Sequence, residues 1–344
     1  MSKQRWALVI LSFAAMIGVS IWIARAGINP DEIKLKVPLW AHALALLAVA
    51  TEVLTRALKI GWSAQALRIP LPYSLSLRTC LGGDFGAAIT PSRSGAEPAR
   101  FLILAEGGLR PADVLMILFM ELFLEMLSLV VIAAALAIGF RDASPVMGAI
   151  VTMIGGYAAI ILGVGAFGAA LSRRNAHGPP PAWARRLGLH AARWRKIQLQ
   201  LRQLRVSIDY LKHARVGMMT LSFIASVVHV ATRLAILPVL VYSLGTVTVE
   251  FSRLVLWPLA FLYGGAVAPA PGGGGLIEIA FQRAFRHDIP HNILAASLIW
   301  WRFYTLYLYV LLGALAAGAT VMRALRRHKG EKPPVIRHTA EMHV

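Results

Sequence analysis

Two stretches of the sequence place charged residues directly after helix-breaking residues, within apolar surroundings. The first, TPSRSGAEPAR, covers residues 90–100 and contains a proline and a glycine that interrupt a helix. Arg93, Glu97 and Arg100 follow one another there at steps of four and three. In a helix this spacing puts the three charges near one face. Together with the free N–H groups of a helix start, such a face could bind an anionic group such as a phosphate.

The second stretch, APAPGGGGLIE, covers residues 268–278 and repeats the order of breaker and acid. Its two prolines forbid a continuous helix, and Gly272–Gly275 allow positive φ and the close approach of another group. Glu278 follows at the start of the next helical turns, as Glu97 does in the first stretch. The glycine run lacks the Gly-Lys-Ser/Thr ending of a P-loop, so we expect no nucleotide site.

Further charges lie in the middle of long apolar segments. They are Glu52, Arg56, Glu121, Glu125, Arg233 and Arg302. Each would cost about 2.5–3.5 kcal/mol at the centre of a bilayer, so we expect them to face the inside of a helical bundle and to find partners. They could form structural Glu–Arg pairs, a polar path for a headgroup, or both. His229 has similar surroundings and is more typical of a satisfied core residue.

Composition predicts an all-α integral membrane protein. Hydrophobic residues make up 58% of the 344 residues and charged residues 15%, against roughly 45–50% and about 25% in soluble domains. This excludes a cytosolic enzyme, a secreted disulfide scaffold and a disordered protein. The net charge of +19 does not indicate nucleic-acid binding, because the basic residues cluster between apolar blocks and at the tail. Cys80 is the single cysteine, so no internal disulfide is possible.

Six segments are long enough to cross a hydrocarbon core of about 30 Å. They are residues 6–25, 38–58, 112–140, 146–171, 216–244 and 292–322. We interpret the first as a retained helix, since no small-residue cleavage site follows it. Two other apolar stretches, 70–108 and 251–290, are interrupted by charges, prolines or glycines. Each is predicted to form two half-helices joined by a breaker.

Counting positive charges predicts the topology. Segment 172–215 carries eleven Lys and Arg residues against one acid, and it and the tail belong in the cytoplasm under the positive-inside rule. With both termini cytoplasmic, 70–108 must enter and leave on the cytoplasmic side and 251–290 on the outer side. Both are therefore predicted to be re-entrant hairpins in an inverted repeat, formed by residues 38–140 and 216–322. Such repeats place the substrate site near the bilayer midplane, where the broken elements meet.

Residues 1–325 are expected to form one polytopic domain in the bacterial cytoplasmic (inner) membrane, followed by a cytoplasmic tail at 326–344. In segment 172–215, apolar residues recur at helical steps beside a cationic surface. This amphipathic pattern is typical of an interfacial helix on anionic lipid. It also fits a docking helix for a lipid-synthesis enzyme or for a second copy of the chain in a homodimer.

Four motifs resemble the membrane domain of the lysylphosphatidylglycerol synthase/flippase family. They are TPSRSGAEPAR (90–100), LFMELFLEML (118–127), APAPGGGGLIE (268–278) and WRFYTLY (301–307). The resemblance covers about residues 5–325. It implies a flippase-like protein that moves an anionic or aminoacylated phospholipid, a glycolipid or an isoprenoid lipid between leaflets. Some relatives attach lysine with a further cytosolic domain. Because the sequence ends at Val344 after a short basic tail, we expect no such enzyme activity.

Three hypotheses for function follow. The first is a flippase-like protein that passes a lipid headgroup through the seam between the hairpins while one repeat rocks against the other. The second is an intramembrane polyprenyl-diphosphate phosphatase-like enzyme, since PSRSG (91–95) and the pair Glu121 and Glu125 echo that family's motifs in reversed order. The third is a scaffold for a lipid-synthesis enzyme that uses residues 183–215.

The first hypothesis assigns substrate binding to charged residues and glycines in and around the two hairpins. They are Arg93, Gly95, Glu97, Arg100, Glu121, Glu125, Arg233, Gly272, Gly273, Glu278 and Arg302. We expect no catalytic residue, metal or cofactor. The expected partner is a membrane lipid with an anionic headgroup, and not a nucleic acid.

Overall fold

A computed structural model describes residues 37–140, 145–173, 213–245, 249–264 and 271–316, with the single positions 18, 194, 195 and 198. Every regular element in these ranges is helical, which confirms the predicted helical class for this part of the chain. The predicted span 6–25 and the tail 326–344 lie outside the described residues, apart from position 18. So does nearly all of the amphipathic segment 172–215.

The described ranges form nine α-helices. In chain order they are α1 (Leu39–Ala66), α2 (Tyr73–Ile89), α3 (Ala96–Glu106), α4 (Pro111–Phe140), α5 (Pro145–Arg173), α6 (Val216–Ser243), α7 (Phe251–Gly264), α8 (Leu276–Phe285) and α9 (His291–Arg302). The 3-10 turn Pro91–Arg93 joins α2 to α3, and a second one, Pro271–Gly273, precedes α8. Helix α9 runs into a π-helical turn, Phe303–Tyr307, and then continues as α-helix to residue 316.

Prolines set the start of several helices. Pro38, Pro72 and Pro290 lie directly before α1, α2 and α9 in an extended conformation, with ψ of 143°, 142° and 141°. Pro111 and Pro145 are the first residues of α4 and α5, where a missing N–H group has no helical partner to lose. Local sequence, independent of packing, therefore decides where these helices begin.

Four of the described helices are long and apolar enough to cross a membrane: Pro111–Gly139, Met147–Phe167, Val216–Ser243 and Ile293–Ala316. They correspond to four of the predicted spanning segments. Residues 39–58 of the predicted segment 38–58 lie in α1, which is 28 residues long, contains the buried charges Glu52, Arg56 and Lys59, and is not one of these four helices.

Helices α2 and α3 fold back on each other, and we call them the first hairpin. A Cβ atom added at Gly86 would lie 2.5 Å from the carbonyl oxygen of Gly95 and 2.9 Å from the Cβ of Ala99. Gly83 in turn lies against the side chain of Arg100. Because residues 83 and 86 face residues 100 and 95, the two legs run antiparallel.

Helices α7 and α8 form the second hairpin in the same way. The rings of Phe261 and Phe281 lie 6.1 Å apart, and Arg253 donates a hydrogen bond to the carbonyl of Ala284 at 3.0 Å. These pairings also require antiparallel legs. The 3-10 turns Pro91–Arg93 and Pro271–Gly273 contact each other, so the two hairpins meet at these turns.

Helices α1 and α6 form the most extensive helix pair around the hairpins. The hydroxyl oxygens of Ser63 and Ser222 lie 2.9 Å apart between them. Small buried residues occur on both helices, including Ala57, Ser63, Ala64, Ser222, Ala225 and Ser226. Such residues allow two backbones to approach closely, which is how helices associate when lipid surrounds them.

The close approach of α2 and α3 can be tested with two glycine substitutions. Gly86→Ala should lower the free energy of unfolding by about 1–3 kcal/mol, because the new methyl group must displace the Gly95 carbonyl. Gly148→Ala is the matched control in α5, where no described atom lies within 4 Å of the added Cβ. It should raise the free energy of unfolding by about 0.5–1 kcal/mol. Equilibrium unfolding in detergent, followed by tryptophan fluorescence, measures the free energy of unfolding of both variants. Equal effects of the two substitutions would contradict the close packing of α2 against α3.

Candidate functional site

A cavity of about 380 Å³ opens between the first hairpin and helices α4 to α7. Its volume is typical of small-molecule binding sites, which span about 300–1,000 Å³. Its polar and charged lining consists of Arg56, Asp84, Ser92, Arg93, Glu97, Arg100, Glu125, Tyr157, His229, Arg233 and Tyr263. We call this the large cavity.

A smaller cavity of about 40 Å³ lies between the two 3-10 turns and the π-helical turn. Gly272, Arg302, Thr305 and Tyr309 are part of its wall. Four residues belong to the walls of both cavities: Asp84, Arg93, Arg233 and Leu262. We call these four the partition, because they separate the two spaces.

Glu52 joins three elements in the interior next to the partition. Its Oε1 lies 3.0 Å from Nη1 of Arg56 in the same helix and 3.4 Å from Nη1 of Arg233 in α6. Its Oε2 accepts a hydrogen bond from the hydroxyl of Tyr309 at 2.6 Å. One fully buried carboxylate thus ties α1, α6 and the helix that follows the π turn.

Arg56 extends this connection to the first hairpin. Its Nη1 and Nη2 donate hydrogen bonds to the two carboxylate oxygens of Asp84 at 3.0 and 2.9 Å. This paired geometry is the strongest arrangement of a guanidinium and a carboxylate. Both side chains are buried, so the interaction holds α2 against α1.

A second charge cluster joins α1, α3 and α4. The Lys59 ammonium lies 2.6 Å from an oxygen of Glu121 and 2.7 Å from an oxygen of Glu125. Arg100 lies 2.8 Å from the other oxygen of Glu121 and 3.4 Å from Glu97. Glu121 is fully buried between the two bases, whereas Glu97 and Glu125 reach the wall of the large cavity.

The second hairpin carries a matching ion pair with the charges exchanged. Nε of Arg302 in α9 lies 2.8 Å from an oxygen of Glu278 in α8, and its Nη2 donates to the carbonyl of Gly272 at 3.1 Å. In the first hairpin the base, Arg100, lies on the second leg and the acid, Glu121, on the following helix. In the second hairpin the acid lies on the leg and the base on the following helix.

Arg93 differs from these bases because no ion pair or hydrogen bond joins it to another described residue. Its strongest electrostatic neighbours are Arg233, Asp84 and Arg56. Arg93 and the preceding Ser92 have φ values of 56° and 52°, in the left-handed region. This conformation costs about 1–2 kcal/mol for a residue with a side chain. Such strain persists where the surroundings fix it, and it is concentrated at functional sites.

The second turn has the same shape without the strain. Gly272 and Gly273 occupy the positions of Ser92 and Arg93, with φ of 60° and 69°. Glycine adopts these angles freely. The first turn therefore has an arginine at a position where a glycine would avoid the backbone strain.

The two ends of the large cavity differ in net charge when all groups are ionised. At the partition, three bases (Arg56, Arg93 and Arg233) meet two acids (Glu52 and Asp84), which leaves one positive charge in excess. At the other end, two bases meet three acids: Lys59 and Arg100 with Glu97, Glu121 and Glu125. An anionic group is therefore favoured next to the partition.

A family model described as the lysylphosphatidylglycerol synthase transmembrane region matches residues 7–313. The chain belongs to this family. The resemblance predicted from the four motifs is confirmed. Membership and the apolar helices together make the chain a multi-pass membrane protein, consistent with a role connected with membrane lipids. No curated protein matches the chain.

Seven of the sequence-predicted site residues of this family member line one or both cavities. They are Arg93, Glu97, Arg100, Glu125, Arg233, Gly272 and Arg302. Gly95, Glu121, Gly273 and Glu278 are absent from both walls. Two of them hold cavity residues in place: Glu121 orients Arg100, and Glu278 orients Arg302.

One detail of the predicted site is corrected. Arg93 does not share a helical face with Glu97 and Arg100, because α3 begins at Ala96, after the turn that contains Arg93. The N-cap residues Gly95 and Gly275 each have their own N–H group bonded within the protein. The Gly95 N–H donates to the Thr90 hydroxyl, and the Gly275 N–H donates to Glu278, each at 2.7 Å. These N–H groups are therefore occupied by protein oxygens.

Sequence reasoning left Lys59, Asp84 and Tyr309 out of the site. Lys59 lies three residues after Arg56 and seven after Glu52, so helical spacing could have placed it on the same face. Asp84 is a lone acid next to a glycine. Tyr309 gives no sequence signal, because its partner Glu52 is 257 residues away.

The role of Glu52 leads to a stability prediction. Glu52→Gln should lower the free energy of unfolding by about 3–5 kcal/mol, because it leaves Arg56 and Arg233 with too little negative charge in a buried site. Asp113→Asn is the control, since its partner Arg110 is 63% exposed and the pair contributes at most about 1 kcal/mol. Denaturant unfolding of the purified variants measures the difference. A small effect of Glu52→Gln would show that the carboxylate does not hold the bundle together.

Proposed function

We propose that the protein binds the anionic headgroup of a membrane lipid at Arg93 and translocates the lipid between leaflets. The observation that carries the proposal is the state of Arg93: left-handed backbone, position in the partition, and no ion pair or hydrogen bond with an acid among the described residues. A guanidinium binds phosphate through paired N–H donors. The excess positive charge at the partition attracts the same kind of group.

The large cavity also suggests how much of the lipid enters the protein. About 380 Å³ accommodates a headgroup, whereas acyl chains remain in the surrounding lipid. Glu97 and Glu125 at the far end would accept an amine, so an aminoacylated headgroup fits as well as a simple anionic phospholipid. Glycolipids and isoprenoid lipids with a phosphate stay within the proposed substrate class.

The proposed mechanism uses six spans and two re-entrant hairpins in an inverted repeat, with residues 38–140 and 216–322 as the two halves of one membrane domain. Antiparallel legs, turns of equal conformation and the exchanged ion pairs support this arrangement. Rocking of one half against the other would alternate access to the site. We further propose the bacterial inner membrane as the location, with both termini in the cytoplasm.

We propose a transporter in preference to an enzyme. The phosphatase-like alternative needs Glu121 and Glu125 as a metal-binding pair. Lys59 lies within 2.7 Å of both, so the two carboxylates already share a cation. The scaffold alternative, with a lipid-synthesis enzyme or a second copy as partner, depends on residues 183–215 and stays a prediction.

Substituting Arg93 separates a functional from a structural role. Arg93→Gly should raise the free energy of unfolding by about 1–2 kcal/mol, because it removes the left-handed strain. It should also slow translocation by about tenfold or more, through loss of a charged hydrogen-bond donor. Quenching of a fluorescent phospholipid in proteoliposomes by external dithionite measures the rate.

Two matched variants accompany Arg93→Gly. Arg93→Lys keeps the charge and should retain part of the activity. Arg283→Ala removes an exposed arginine from α8 and should leave the rate unchanged. A wild-type rate for Arg93→Gly would contradict the proposed role, and a large loss of stability would indicate a structural one.

The opposed orientation of the hairpins can be tested by labelling cysteines in intact cells. In a Cys80→Ala background, Arg110→Cys and Arg286→Cys place a thiol at the base of the first and second hairpin. A membrane-impermeant maleimide should label residue 286 directly and residue 110 only after permeabilisation. Labelling of both from the same side would contradict the inverted repeat.

A further inference from the structure

The helix that begins as α9 contains a π-helical turn at Phe303–Tyr307. There the N–H of Leu308 bonds to the carbonyl of Phe303, five residues earlier. A π turn takes up one residue more than an α-helical turn, and such turns inside α-helices are frequent at functional sites. No proline occurs between residues 291 and 316 to account for it.

Contacts from this turn hold Arg233 in the partition. The Thr305 carbonyl accepts a hydrogen bond from Nη2 of Arg233 at 3.1 Å. The guanidinium also lies 5.2 Å from the centre of the Tyr309 ring, and the Tyr309 hydroxyl donates to Glu52, which is the acid paired with Arg233. The segment from Thr305 to Tyr309 thus contacts Arg233 directly and through Glu52.

The extra residue links contacts on either side of the turn. Arg302 lies before the turn and binds Glu278, whereas Tyr309 lies after it and binds Glu52. One residue corresponds to about 100° of rotation in an α-helix. If the turn changed to α-helix and the extra residue moved toward the C-terminus, Tyr309 would rotate away from Glu52 while Arg302 kept its partner. The Thr305 carbonyl would then bond to the N–H of residue 309, as in any α-helix.

From this geometry we infer that the π turn opens the partition by changing between a π-helical and an α-helical conformation. In its π form it holds Arg233 between the two cavities; in its α form it releases Tyr309 from Glu52 and Arg233 from the Thr305 carbonyl. The small cavity, at about 40 Å³, has no room for a headgroup until Arg233 moves. This inference rests on the proposed function, because it assumes that the headgroup passes the partition.

Two variants with opposite expected effects test the inference. Deletion of Leu306 removes the extra residue and makes the helix a regular α-helix. The segments before and after the turn keep their present relative orientation, but the helix has no extra residue left to shift along the chain. Translocation should fall by about tenfold or more, with lipid binding unchanged. Tyr309→Phe removes the hydrogen bond that holds the π form, and it should speed translocation about threefold or more. A purely structural role of the turn would slow both variants, and that result would overturn the inference.

The control for the deletion is Leu306→Ala, which keeps the number of residues in the turn and removes most of the side chain; it should lower the translocation rate far less than the deletion does. A second measurement does not depend on transport. Amide hydrogen exchange at residues 304–309 should be faster in the wild type than in the deletion variant, and equal exchange would overturn the inference. If the wild type exchanges as expected but moves no lipid, the proposed function fails while the mobile turn stands.

Discussion

The pairing of opposite charges inside an apolar bundle is the constraint on which the remaining structure depends. The Glu52 carboxylate forms ion pairs with Arg56 and Arg233 and accepts a hydrogen bond from Tyr309. Arg56 also forms an ion pair with Asp84, which lies in the first hairpin. The positions of α1, α2, α6 and the end of the α9 helix are therefore set together. Moving any one of them would leave a buried charge without compensation, which costs several kcal/mol.

The two hairpins use one backbone design with different chemistry. Both turns start at a proline and have two successive residues with positive φ. The second turn uses glycines for this, so it is free of strain and offers a carbonyl to Arg302. The first turn uses Ser92 and Arg93 and places a guanidinium in the wall between the cavities. Two turns of similar backbone shape thus carry different side chains, and of the two only the first places a charged side chain between the cavities.

The motifs of the lysylphosphatidylglycerol synthase transmembrane-region family have distinct physical roles in this chain. TPSRSGAEPAR forms the turn with Arg93 and the leg with Arg100. LFMELFLEML supplies the two glutamates that enclose Lys59. WRFYTLY contains both Arg302 and the whole π turn. Trp301 of this motif packs against the second hairpin, where its ring stacks on that of Phe281 at 5.5 Å. This motif therefore contributes helix geometry in addition to a charged side chain.

The sequence by itself determined the features that depend on residues close together in the chain. Apolar length predicted the four helices that are long enough to span a membrane, prolines marked helix starts, and the proline–glycine breaks at Pro91 and Pro271 predicted two broken hairpins. The i, i+4 spacing of Glu52 and Arg56 predicted their ion pair, because a helix brings such residues together whatever surrounds it.

Only the tertiary structure decided which buried charges have an ion-pair partner among the described residues and that Arg93 has none. Lys59 pairs with Glu121 and Glu125 from a different helix, Tyr309 reaches Glu52 across 257 residues, and the N–H groups of Gly95 and Gly275 donate to Thr90 and Glu278. Arg93 stands out only once those partners are assigned. Such contacts depend on how helices distant in sequence pack against each other, and no local spacing encodes that packing.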